Sequence, residues 1–263
     1  MSFKTLCKLI NYWGVTPSES NSQNKDATPF VMPEEAIEIL LFWFGNDMNV
    51  IGPSNSASQS HGYDLWCERW FAKNKQQELV DFEIQNNFAS LIDLALSNQL
   101  NHWRDNCYSA LALIVLLDQF TRNVHRNTPN AWCGDTMARE VCLHYLNNIP
   151  EAVNCLPGIM KLQFYMPLLH AEDIQLQNRS VALYEEILQN SMSSTAKSEQ
   201  NLQIVYKLGV KIAHFHHFSI STFGRFPERN ELLSKIDPSR QTTNAEKVYL
   251  ENTISGKVRY MEW

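Results

Sequence analysis

Residues 107–126 read CYSALALIVLLDQFTRNVHR, and this stretch decides the fold class. Cys107 to Leu117 carries no charge, and Ser109 to Phe120 is apolar on nearly every side of a helical wheel. Such a segment predicts a central, buried helix. It is too short to span a bilayer, which takes ~20 apolar residues. The β-branched Ile114 and Val115 sit inside a helical frame, not an alternating one. The segment then delivers Asp118, Gln119, Arg122, Asn123 and Arg126. Asp118, Arg122 and Arg126 are spaced by four, so they share a face if the helix continues. Arginine's planar fork binds carboxylate or phosphate bidentately, so one reading is an arginine pair aimed at an anion and steadied by Asp118. The other is a structural salt bridge closing a helix end.

On both sides of this segment the period stays helical. Upstream, Pro33 with Glu34 and Glu35 opens a helix carrying Ile37, Leu40, Leu41 and Phe44, with Gly45 as its stop. Trp66, Trp70 and Phe71 form one apolar face; Leu79, Phe82, Phe88, Leu91, Ile92 and Ala95 form another. Downstream, Thr128-Pro129 starts a helix through Trp132, Met137, Val141 and Tyr145, and Pro157-Gly158 breaks the chain. Further helices are expected from about Ala171 to Gln189 and from after Thr195 to Gly224. Thr243 and Glu246 have the capping-box spacing. No alternating run is long enough to predict a strand. We expect an all-α fold of roughly eight to ten helices stacked antiparallel in one domain over residues 31–253. Residues 1–30 read as an N-terminal extension with a polar linker, Asn46 to Gly62 as a polar loop, and 254–263 as a tail.

Composition narrows the function classes. At 263 residues, 44% hydrophobic against 19% charged, the chain can bury a large core and is not disordered. Nine glycines and ten prolines are too few for a collagen-like or loop-dominated all-β protein. A net charge of −6 excludes a general basic surface for nucleic acid, so any cationic site must be local. Cysteines at 7, 67, 107, 133, 142 and 155 form no C-x-x-C pair and read as reduced, mostly buried thiols. The opening MSFKTLCKLINYWG lacks a continuous apolar core and a small-residue cleavage site. A cytoplasmic location without a membrane partner is therefore expected.

Three further stretches concentrate polar residues. In YMPLLHAED (165–173), His170 stands close to Glu172 and Asp173; a histidine beside an acid is the minimum for proton transfer. His170, Asp173 and Gln177 share a face if all three lie on one helix. A satisfied, partly buried histidine is the competing reading. In His214-Phe-His-His217, His214 and His217 can meet on one face, but the spacing matches no metal pattern and we expect no bound metal. In FGRFPERN (223–230), Gly224, Pro227 and two phenylalanines stiffen a loop from which Arg225 and Arg229 project beside Asn230. A helix-capping loop is the alternative there.

The combination LLDQF-x-RN, MPL-x-H-x-ED-x-x-x-Q and FGRFP-x-RN, with ILLFWFG (39–45), Asp135 in WCGDTMA and His216, resembles the bacterial domain-of-unknown-function 924 family from about Pro33 to Leu250. The resemblance implies a tetratricopeptide-like helical array and no activity. The chain departs from the family in carrying Thr121 where proline is usual, Glu228 where a second histidine is usual, and Leu233-Ser234-Lys235 in place of Leu-Gly-Arg.

Together these motifs suggest a cationic pocket in an acidic protein. We expect it to bind, and to transform if it is an enzyme, a small anionic metabolite. Its ligand-binding residues would be Asp118, Gln119, Arg122, Asn123, Arg126, Gln177, His216, Arg225, Arg229 and Asn230, with His170, Glu172 and Asp173 as acid/base groups. The sequence names no cofactor, reaction or oligomeric state. The rival is a helical scaffold for a protein or peptide, with the polar motifs locking helix ends. Convergence of the motifs separates the two.

Overall fold

The computed structural model describes residues 32–45 and 66–254. The expected N-terminal extension, the polar loop to Gly62 and the tail after 254 lie outside the described residues, as do Cys7 and the side chain of Trp66. Among the described residues the regular structure is entirely α-helical, 3-10 or π, with thirteen α-helices. Several are a turn or so long, which is why the expectation of eight to ten fell short.

Helix α1 (Glu34–Phe44) buries Ala36, Ile37, Ile39, Leu40, Leu41, Trp43 and Phe44, so it is covered on almost all sides. A π-helical turn, Trp66–Trp70, precedes α2 (Asn74–Leu96). Helix α2 buries a single stripe of Val80, Ile84, Phe88, Ile92 and Ala95. Leu79 and Phe82, expected on its apolar face, are 57% and 65% exposed because they lie off that stripe. The central segment starts at α3 (Cys107–Ile114), where the Asn106 side chain accepts from the Tyr108 N–H at 2.9 Å. It continues through a π-helical stretch, Val115–Phe120, into α4 (Thr121–Val124). As the sequence predicts, this segment is the centre: Ala110 to Leu117 and Phe120 are all essentially inaccessible. Each buried Leu, Ile or Phe contributes about 1.5–3 kcal/mol.

There follow α5 (Asp135–Asn148), α6 (Pro150–Asn154), α7 (Gly158–Phe164), α8 (Met166–Leu169), α9 (Ile174–Ser193), α10 (Lys197–Asn201), α11 (Gln203–Phe223), α12 (Asn230–Leu233) and α13 (Asn244–Ile254). Neighbouring long helices pair antiparallel. Along α9 and α11, Asn178 meets His217, Glu185 meets His214, and the Ser191 carbonyl meets Gln203. Helix α2 runs against the central segment in the same sense, with Phe88 on Phe120 and Asp81 on Arg126. Most of the buried apolar residues form one cluster from Met32 to Ala213, with Ile220, Phe226 and Tyr249 outside it.

The five described cysteines carry free thiols, but Cys67, Cys133 and Cys155 are exposed, so the expectation of mostly buried thiols is corrected. They sit on turns and helix ends, outside the apolar stripes. Among the described residues no helix is long and apolar enough to cross a membrane.

Candidate functional site

The site is built on the π-helical stretch. The Thr121 N–H bonds back to the Leu116 carbonyl, five residues earlier, and the Thr121 hydroxyl takes the Leu117 carbonyl at 2.7 Å. Such insertions occur frequently at functional sites because they re-aim side chains. Here the wide turn carries Asp118, which is fully buried. A buried carboxylate is costly unless paired and hydrogen-bonded. His170 Nδ1 lies 2.9 Å from both of its oxygens, Gln119 donates to Oδ2, and Arg122 Nη1 is 3.4 Å from Oδ1. Burial alone would raise the Asp118 pKa; Arg122 and His170 outweigh it and hold the carboxyl well below its usual range.

Arg122 reaches across to Asp135 on α5 with Nη1–Oδ1 at 2.8 Å and Nη2–Oδ2 at 3.0 Å. That approach depends on Gly134, where a Cβ would lie 2.1 Å from the Leu117 carbonyl oxygen. The start of α5 can therefore press directly on the π-helical stretch. Arg229 shares the same carboxylate: Nη1 is 3.4 Å from Asp135 Oδ2, while Nη2 donates to the His170 carbonyl at 3.1 Å. Its guanidinium stacks over Phe226 and faces Trp132, 4.5 and 5.5 Å from their ring centres.

Two imidazoles complete the cluster. Because the Asp118 carboxylate can only accept, His170 Nδ1 carries the proton and Nε2 keeps its lone pair. His216 Nδ1 likewise donates to the Leu169 carbonyl at 3.1 Å, and the two rings are 5.9 Å apart. Burial, then the Arg122 charge, lowers the His170 pKa against the pull of Asp118. Burial, with His170 and the arginines behind it, takes His216 down to about 3. Both rings are therefore neutral at pH 7. Among the described residues no set of three metal-ligating side chains converges.

The other predicted residues lie elsewhere. The helix ends at Val124, so Arg126 does not continue the face of Asp118 and Arg122. It turns with Asn123 to Asp81 on α2, through bonds of 2.7–2.8 Å. Asp173 is the N-cap of α9, accepting from the Gln175 and Leu176 N–H groups. His170, Asp173 and Gln177 thus do not share one helix face, because the helix starts only at Ile174. Gln177 is buried and donates to the Leu169 and Ala171 carbonyls at 2.7 and 2.8 Å, fixing the turn behind His170. Glu172 forms a two-pronged pair with Arg240 at 2.7 and 2.8 Å and accepts from the Phe226 N–H at 2.8 Å. Those bonds overcome burial and lower its pKa. His214 and His217 bind Glu185 and Asn178 and do not meet each other or the cluster.

Arg225 belongs to a separate lock. Gly224 ends α11 with φ of 70°, a left-handed conformation that favours glycine. The chain then turns so that Arg225 clasps the buried Glu246 at 2.7 and 3.0 Å. Asn230 also donates to Glu246, at 3.2 Å. The predicted capping box is present: the Thr243 N–H reaches Glu246 Oε2 at 2.7 Å, and the Glu246 N–H reaches the Thr243 hydroxyl at 3.3 Å.

A model of bacterial proteins of unknown function, DUF924, matches residues 39–253. The chain belongs to this family. It is also similar to the solved structure of a protein of unknown function from Agrobacterium tumefaciens, at 27% identity and a TM-score of 0.60, covering 83% of this chain and 97% of that one. No curated protein matches it. In this DUF924 chain the sequence motifs bring Asp118, Gln119, Arg122, His170, His216 and Arg229 together. Reading motifs one by one missed Asp135, Asp81, Arg240 and Glu246 as their partners. Two of these had a signal in the sequence: Glu246 as the acid of a capping box, and Asp135 as part of the family resemblance.

Proposed function

We propose that the protein binds a small anionic molecule over Arg122 and Arg229, and that His170, steadied by Asp118, exchanges a proton with it. The observation that carries this reading is the sharing of one carboxylate, Asp135, by two guanidinium groups beside a neutral His170 held by the Asp118 carboxylate. Arg122 also has Asp118, whereas Arg229 reaches Asp135 only at 3.4 Å, so a ligand carboxylate or phosphate would give Arg229 a closer anion. His170 Nε2 is the base and Asp118 its positioning partner; His216 presents a second neutral imidazole next to it. Glu172, Asp173, Arg225 and Asn230 hold the surrounding turns. A cytoplasmic, tetratricopeptide-like protein that binds neither nucleic acid nor membrane is consistent with this reading, and the antiparallel hairpins support the array.

A specific observation favours the rival scaffold reading: Arg225, Arg240 and Arg126 each already clasp a carboxylate of the chain. Thermal-shift titration with inorganic phosphate, nucleotides and small dicarboxylates decides between them. A ligand of the folded state at 100 times its Kd raises stability by about 2.7 kcal/mol. We expect at least one anion class to raise Tm in the native chain and to lose that effect in Arg229→Gln. No shift with any class would leave the scaffold reading in place.

A further inference from the structure

A cavity lies apart from the Asp118–His170 cluster. It has a volume of about 280 Å³ and lies between the π-helical turn Trp66–Trp70, the start of α2 and the end of α4. Its lining includes Arg69, Lys73 and Arg126, the amides of Gln77 and Asn123, and the apolar Trp70, Phe71 and Val80; no carboxylate is among the lining residues. Of the three cations, Arg126 is held by Asp81 at 2.7 Å. Arg69 donates to the Phe42 carbonyl and stacks 4.3 Å above the Phe42 ring. Glu68 and Glu83 act on Arg69 through their charge, but both are exposed and stand outside the lining. Lys73 is exposed at the N-terminal flank of α2, a helix with no side-chain cap and no acidic residue in its first turn. A cation there opposes the helix dipole, which an anion would relieve.

We propose that this cavity is a second ligand site, for a small phosphate monoester whose organic part is planar or apolar. Two features select that class. Three cations and no carboxylate line the cavity, which favours a dianion such as a phosphate monoester over a singly charged carboxylate. Trp70, Phe71 and Val80 offer apolar surface to the organic part. The volume sits just under the ~300–1,000 Å³ of drug-sized sites, which suits a ligand about the size of a phenyl ester. This site is separate from the one under Proposed function: Asp118, Asp135 and His170 are not among its lining residues, and Asn123 and Arg126 bond to Asp81.

Isothermal titration of the full chain with phenyl phosphate, inorganic phosphate and benzoate tests it. Phenyl phosphate is expected to bind at one site, more tightly than inorganic phosphate or benzoate. Lys73→Ala and Arg126→Gln should each weaken it about tenfold or more, the loss of one charge-assisted contact. Lys73 is exposed, so its replacement leaves the fold intact. Arg229→Gln should leave phenyl phosphate binding unchanged. The proposal is overturned if phenyl phosphate gives no binding up to about 10 mM, if benzoate binds as tightly, or if Arg229→Gln abolishes binding while Lys73→Ala spares it. The last result would move the ligand to the Asp118–His170 cluster and support that reading at this one's expense.

Discussion

Two carboxylates lie on either side of the turn from Gly224 to Asn230, and they are used differently. Glu246 accepts from Arg225 twice, from Asn230 and from the Thr243 N–H, and the remaining Arg225 donor, Nη1, goes to the Ser239 carbonyl at 2.8 Å. Both Glu246 oxygens and all three Arg225 nitrogens have partners, with only the buried Asn230 Oδ1 beside them left without one, so that joint is architecture. Asp135 is divided between Arg122 and Arg229, one of which reaches it only at 3.4 Å. Saturated pairs hold the fold, and shared ones leave capacity for something else. Neither motif alone tells them apart, since both are an arginine in the same FGRFPERN loop.

The largest test of this contrast is Arg225→Ala. It strands the Glu246 carboxylate, which is 2% exposed, and should cost about 3 kcal/mol in urea melts. A loss below ~1 kcal/mol would show that the lock is not saturated in solution. Next is Gly134→Ala. Its Cβ would meet the backbone carbonyl of Leu117 and not a yielding side-chain end, so a loss of about 2–3 kcal/mol is expected. The same substitution should shift the His170 imidazole resonances, because Asp135 and Arg122 must part; unchanged resonances would uncouple the two elements.

Acid is the third test. His216 is held neutral down to about 3, and an unfolded histidine titrates near 6.5. The unfolded chain therefore binds the extra proton between those values, so stability falls as pH drops through this window and is retained above it. From pH 7 to 5 this histidine should remove about 2 kcal/mol, and His170, shifted in the same direction, adds to the loss. Asp118, Glu172 and Glu246 have lowered pKa values, so their contributions are present above pH ~4 and fade only below it. Denaturant melts at pH 7 and 5 for the native chain and His216→Gln check the sign: the variant should lose less over this interval. The smallest effect is expected of Arg229→Ala, within about 1 kcal/mol, because Asp135 keeps both bonds to Arg122. A loss as large as that of Arg225→Ala would erase the distinction between the two carboxylates.

Much of the fold was legible because burial follows periodicity. The run from Ser109 to Phe120, the stop at Gly224 and the box from Thr243 to Glu246 are local signals, and each is local structure in the molecule. The site was legible only as residue types. Spacing by four placed Arg126 with Arg122, but a π-helical stretch and the end of α4 at Val124 break the phase that the argument needs. Asp135 and Asp81 were not legible as partners, because each is brought to its arginine by packing between helices distant in the chain. Leu79 and Phe82 misled for a related reason: an apolar residue one or two positions off the buried stripe is exposed.

The π-helical stretch between Val115 and Phe120 also sets a rule of inheritance for the whole central segment. Each residue of an α-helix turns the chain by about 100°. Losing the additional residue of the wide turn would rotate everything before it against everything after it, taking Asp118 out of register with His170 or Leu113 out of the core. Descendants of this chain can exchange side chains along residues 107–124 far more readily than they can change its length, and a variant one residue shorter would have to re-establish both the core and the cluster at once.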